Sequence, residues 1–210
     1  MREAGAPITP CTIVVGDLPL KVSPSAWAVA DPDNGVIHLR ADSFGDPAQL
    51  ALEVSRAAES GFHPPGSTDP QSIITHEMGH LAHMPGGTWQ GFASRFDKPA
   101  RPASGSWSWV HGQMGWSLPS PSGPPGSRAE FTAGKVSRYA ESNPVEFVAE
   151  TFTALVHGGP GAEAAFDAKD PAIMRMYRTL GGPRVGRDRH ALAAFERLAF
   201  DEGAHPRDDA

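Results

Sequence analysis

Three Asx-Pro pairs, Asp46-Pro47, Asp69-Pro70 and Asn143-Pro144, open stretches that carry apolar residues at helical spacing. The pair is restrictive. The short polar side chain accepts from the free N–H groups of a first helical turn, and proline fits the first helical position, where its missing N–H costs nothing. Deeper in a helix the same proline would break it. Helices are therefore predicted from Asp46-Pro47 to about Ser60, with Gly61 as the stop, and from Asp69-Pro70 to about Met84, closed by Pro85-Gly86-Gly87. A third spans 145–157 and is closed by Gly158-Gly159-Pro160, and helical patterns recur at 161–180 and 187–202.

Ahead of the helices the pattern changes period. Residues 11–22 open with an apolar run from Cys11 and read as a short strand and turn. Residues 35–40 alternate as a half-buried strand does, after the turn Asp31-Pro32-Asp33-Asn34. Two strands followed by at least five helices make an α+β fold. The chain carries 23 glycines and 21 prolines in 210 residues, so much of it must be loop. Loop character concentrates at 85–128, which nevertheless holds Trp89, Trp107, Trp109 and Trp116, four of the five tryptophans. We read one domain over 1–204, with an insertion at 85–128 pinned by those aromatics, a strand at 106–110 and a frayed tail at 205–210.

Composition removes several classes of function. With 18 Lys+Arg against 24 Asp+Glu the formal charge is −6, and no basic stripe offsets it, so nucleic acid is not an expected partner. No run approaches the roughly 20 apolar residues of a membrane span, and the first residues lack the apolar stretch of a secretory signal. The expected location is cytoplasmic by default, or carriage on a phage particle, or export by a route that needs no signal. Cys11 is the single cysteine, which rules out an internal disulfide and a Cys-rich zinc site; it is expected to pack as a small hydrophobe.

The chemistry sits on the second helix. Thr75-His76-Glu77-Met78-Gly79-His80 contains H-E-x-x-H, which a chain of this composition produces by chance only about 0.02 times. Residues four apart lie one turn apart on the same helix face, so both imidazoles can reach one tetrahedral Zn²⁺. Glu77 is then placed to take a proton from a metal-activated water. The competing account is a surface helix with two solvated histidines. A catalytic zinc takes three protein ligands, and His83 is a poor third: it lies about 10 Å along the axis from His76. The metzincin extension fails as well, because it needs Gly at 83 and His at 86 where this chain has His83 and Gly86. Downstream, Glu146 and Glu150 stand one turn apart on the third helix, while Val148, Phe152, Leu155 and Val156 line another face. Two carboxylates on a core-packing helix are costly unless something positive meets them. A zinc ion and a zinc-bound histidine would do so, one carboxylate as ligand and the other accepting a ligand N–H. The alternative is an ordinary solvated helix face.

Together, His76-Glu77-Met78-Gly79-His80 and the block from Ser137 to Phe152, which holds Tyr139, Asn143 and Glu146-Phe147-Val148-Ala149-Glu150, resemble the catalytic core of the anthrax lethal-factor-type zinc peptidases. Relatives of that group also occur in phage and toxin-like proteins. The resemblance covers about a quarter of the chain, chiefly 70–84 and 136–157, and Met78 and Val148 replace aromatics of the family pattern. It implies a zincin-like fold, with a small N-terminal sheet, an active-site helix and a helical C-terminal half. It makes His76, His80 and Glu146 the zinc ligands, Glu77 the general base and Glu150 the residue that orients a ligand histidine. Tyr139 would donate its hydroxyl to the oxyanion.

The expected function is that of a zinc-dependent endopeptidase with one Zn²⁺ per chain and a protein or peptide substrate; Mn²⁺ or Co²⁺ could replace the zinc in vitro. The alternatives are a non-catalytic zinc-binding domain of a phage particle or toxin-like protein, and a regulatory or DNA-associated protein. The presence of Glu77 weighs against the first and the acidic balance against the second. His111 and His157 are expected to be structural or solvated.

Overall fold

A computed structural model of the chain describes residues 10–19, 22–84 and 132–185. The tryptophan-rich stretch 85–128 with its expected strand at 106–110, His111, the stop at Pro85-Gly86-Gly87, the helix expected at 187–202 and the tail 205–210 lie outside these residues. The chain runs β1 (Thr12–Gly16), β2 (Ala28–Asp31), β3 (Val36–Arg40), a single turn α1 (Ala41–Phe44), α2 (Pro47–Glu59) and α3 (Pro70–His83). After the gap come a 3₁₀ turn at Tyr139–Glu141, α4 (Pro144–His157), a 3₁₀ turn at Gly159–Gly161, α5 (Ala162–Lys169) and α6 (Pro171–Thr179). The fold class is α+β. Among the described residues no helix is long and apolar enough to cross a membrane.

The helix starts follow the capping chemistry. Asp46 accepts from the Gln49 N–H, Asp69 from the Ser72 N–H, and Asn143 from the N–H groups of both Val145 and Glu146, with Pro at the first position each time. Two expectations need correction. The helical pattern at 161–180 is two helices, because Asp170-Pro171 is the same start signal again: Asp170 caps α6 by accepting from the Ala172 N–H, and Pro171 cannot continue α5. The sheet also has a third strand that pattern reading passed over. Ala28–Asp31 pairs antiparallel with β3, while β1 pairs with β3 in parallel, giving the order β1-β3-β2. Four residues with two alanines carry little strand propensity; the β3 ladder makes this strand, through the turn in which Asn34 bonds Asp31 and Gly35 takes a φ of 65°.

The small residues of β2 matter for what sits beneath it. Ala28 and Ala30 lie opposite Leu39 and Ile37 on the buried face of the sheet, and α3 packs against that face. The core continues through Leu50, Val54, Ile73, Leu81, Phe147, Val148, Ile173 and Tyr177. α3 and α4 form its centre and run antiparallel: Thr75 meets the end of α4, where its hydroxyl contacts His157 Nε2 at 3.0 Å, and His80 meets the start, at Glu146. The helices approach closely at Gly79, where a β-carbon would stand 3.1 Å from Phe152 Cδ1 and 3.2 Å from Ala149 Cα. The alternative of an ordinary solvated helix face for Glu146 and Glu150 fails, because every residue of α4 from Pro144 to Leu155 is buried.

His83 Nε2 bonds the Leu180 carbonyl at 2.8 Å, tying the end of α3 to the end of α6. Burial pushes its pKa down from 6.5 to about 4. The unfolded chain therefore takes up this proton over a range where the folded chain does not, and stability falls as pH drops from 6.5 towards 4. His83→Gln retains a donor for that carbonyl and cannot titrate. Its urea-unfolding free energy should vary less across the window than that of the parent; equal slopes would remove His83 from the acid response. Gly79→Val forces a branched side chain into the α3–α4 contact and should lower stability by about 1–3 kcal/mol, read as a shift in the urea midpoint. An unmoved midpoint would contradict the close approach.

Candidate metal centre

His76 and His80 project from one face of α3, and Glu146 reaches them from the first turn of α4, positioned by the Asn143 cap on its own N–H. All three are buried, and their ligand atoms lie within 4.8 Å of one another. His76 Nε2 stands 3.1 Å from His80 Nε2 and 3.0 Å from Glu146 Oε2, and His80 Nε2 is 3.5 Å from the same oxygen. A tetrahedral ion with bonds of about 2.0–2.1 Å holds its ligand atoms about 3.3 Å apart, so these sides match a coordination triangle. The group can hold a metal ion, and its chemistry fits: two imidazole nitrogens and one carboxylate oxygen are a borderline-to-hard donor set.

The arrangement around the triangle has the same logic. Glu150, one turn further along α4 and wholly buried, places Oε1 2.8 Å from His76 Nδ1, although this contact departs from the line of the ring N–H. A proton drawn to Nδ1 leaves the Nε2 lone pair free to face the triangle. Glu150 also accepts from His63 Nδ1 at 3.0 Å and from the Ser137 hydroxyl at 2.6 Å. Burial works to raise its pKa, but the hydrogen bond from His63 and the close imidazole of His76 prevail and hold the carboxyl below its ordinary value. For His76, burial opposes the charged ring, yet the two carboxylates Glu146 and Glu150 hold its pKa well above the usual histidine value in the metal-free protein.

Glu77, next to His76 on α3, is buried and accepts from the Ala30 N–H through Oε2 at 2.7 Å. That N–H lies on the β2 edge away from β3, so the edge strand fixes one carboxylate oxygen of Glu77. Tyr139 reaches the site from the 3₁₀ turn. Its ring lies 5.8 Å from that of His76, and its hydroxyl stands close to the Glu146 carboxylate. The charge of Glu146, then burial, then the charges of Glu77 and Glu150 push the phenol pKa well above its ordinary value, so Tyr139 is held as an O–H donor.

A cavity of about 420 Å³ opens beside these groups. His76, Glu77 and Tyr139 line one side, with Trp27, Phe62 and Ile73 forming apolar walls. Every residue singled out in the sequence for the centre thus lies in one place, whereas His83 is engaged with Leu180 and His157 with Thr75. Sequence reading did not single out His63 or Ser137. Ser137 lies inside the motif block without a spacing that marks it, and His63 precedes α3 in a loop where no periodicity points to it. Cys11 is half-buried against the core, where burial raises its thiol pKa. Comparison of the chain with protein-family models, curated proteins and solved structures finds no match. The roles of these residues therefore rest on their own geometry.

Glu146→Ala should weaken metal binding at least about a hundredfold, because three or four ligands share an apparent binding energy of about 10–16 kcal/mol. Competition against a chromophoric chelator reads this directly. Parent-like affinity would move the third ligand elsewhere.

Proposed function

We propose that the protein is a zinc-dependent endopeptidase of the gluzincin type, with a zincin-like arrangement of sheet and helices. The observation that carries the reading is the convergence of the two H-E-x-x-H imidazoles with a carboxylate some seventy residues later, beside a cavity shared by Glu77 and Tyr139. His76, His80 and Glu146 would hold the ion. When bound, zinc would supply a Lewis acid that polarises a carbonyl and lowers the pKa of water towards 7.

The chain's own residues do the rest. Glu77 takes a proton from the attacking water and returns it to the leaving amine, with its carboxylate steadied by the Ala30 N–H. The Tyr139 hydroxyl, kept protonated by its acidic neighbours, donates to the carbonyl oxygen as negative charge develops there. Glu150 keeps the His76 ring in orientation. The apolar cavity beside Glu77 and Tyr139 accommodates a bulky apolar side chain next to the scissile bond, which supports a peptide as substrate.

Three variants separate the roles. Glu77→Gln should retain one zinc per chain while cleavage of a peptide library drops by about 10²–10⁴. Tyr139→Phe should keep its zinc and lose about 10²–10³ in turnover. Glu146→Ala should lose both. A parent protein that binds zinc tightly but cleaves nothing in the library would overturn the peptidase reading in favour of a zinc-binding module.

A further inference from the structure

Glu150 is buried to 0% exposure, so water cannot satisfy its oxygens; each lone pair must find a protein donor or leave the charge uncompensated. Ser137 serves Oε2 and in turn accepts the Ala140 N–H at 3.0 Å. Oε1 is shared between two imidazoles, His76 Nδ1 at 2.8 Å and His63 Nδ1 at 3.0 Å. Of the two, His63 makes the properly directed hydrogen bond. The carboxylate is thus anchored by His63 and Ser137, which stand outside the ligand triangle, and it presents its remaining capacity to His76.

The local chain places His63 for this. α2 ends at Glu59, and Gly61 turns the backbone with a φ of 74° that side-chain-bearing residues rarely adopt. The next residues then pair with the segment before α4: the Gly61 carbonyl accepts from Arg138 N–H at 2.9 Å and the Phe62 carbonyl from Tyr139 N–H at 3.0 Å. The His63 ring is enclosed edge-on by Phe62 and Tyr139 and tilted against Trp27, with centroids 5.0, 5.6 and 5.8 Å away. An imidazole held so closely can serve as a fixed donor.

We propose that His63 is a positioning residue of the metal centre: its Nδ1–H fixes the Glu150 carboxylate in the orientation that aims His76 Nε2 at the ion. This rests on reading His76, His80 and Glu146 as metal ligands. It assigns a role to the loop after α2, which contributes no ligand of its own.

The test is the Zn²⁺ dissociation constant of the full chain near neutral pH, by chelator competition, with the Co²⁺ absorption spectrum as a second readout. Asparagine places an amide N–H where His63 carries Nδ1, whereas glutamine places it near Nε2. His63→Asn should bind zinc about as tightly as the parent. His63→Gln and His63→Phe should bind about tenfold or more weakly and alter the Co²⁺ spectrum. On a Glu150→Gln background, His63→Phe should add no further loss, because the effect passes through that carboxylate. Parent-like affinity for both His63→Gln and His63→Phe, or equal weakening by Asn and Gln, overturns the proposal while leaving the metal site intact. A parent chain that binds no zinc overturns the metal reading itself, and the role of His63 with it.

Discussion

The fold turns on one unfavourable burial and its compensation. α4 carries Glu146 and Glu150 into the interior, at 2% and 0% exposure, and an ionised carboxylate costs several kcal/mol to desolvate. The helix can lie across the core only if positive or donating groups come with it. α3 brings them: His76 between both carboxylates and His80 against the first. Gly79 lets the backbones close enough for those contacts, and the His157–Thr75 contact holds the far end of the pair. Removing the imidazoles would leave stranded charge in the centre of the domain.

The elements around the helix pair extend the same compensation outward. The turn after α2 supplies His63, the segment before α4 supplies Ser137 and Tyr139, and the edge of β2 supplies the Ala30 N–H to Glu77. Each is short, and each takes its place from backbone hydrogen bonds to a neighbour rather than from propensity of its own. Polar networks at low dielectric are strong when complete and costly when broken. The close packing of aromatic rings about His63 and Tyr139 fits a site built to hold donors still.

Local rules recovered the helices well, because an Asx-Pro start acts through one side chain and the first turn that follows. The same rule explains the break at Asp170, where the helical pattern alone runs through. β2 escaped because Ala-Val-Ala-Asp has no strand signature; a neighbouring strand and a helix beneath give it form. His63 and Ser137 escaped for a related reason: their partners are 87 and 13 residues away, and no local spacing encodes such a pairing.

From residue order alone came the α+β class, the three main caps, the H-E-x-x-H pair and the need for something positive against Glu146 and Glu150, since each follows from spacing along a helix or from the cost of burying charge. Tertiary structure alone decided that Tyr139 and Glu77 open onto one cavity beside the α3 imidazoles, and that His63 closes the network from behind. Those facts depend on how closely two helices approach and on which loop ends beside them. They are properties of packing in three dimensions, to which sequence separation is blind.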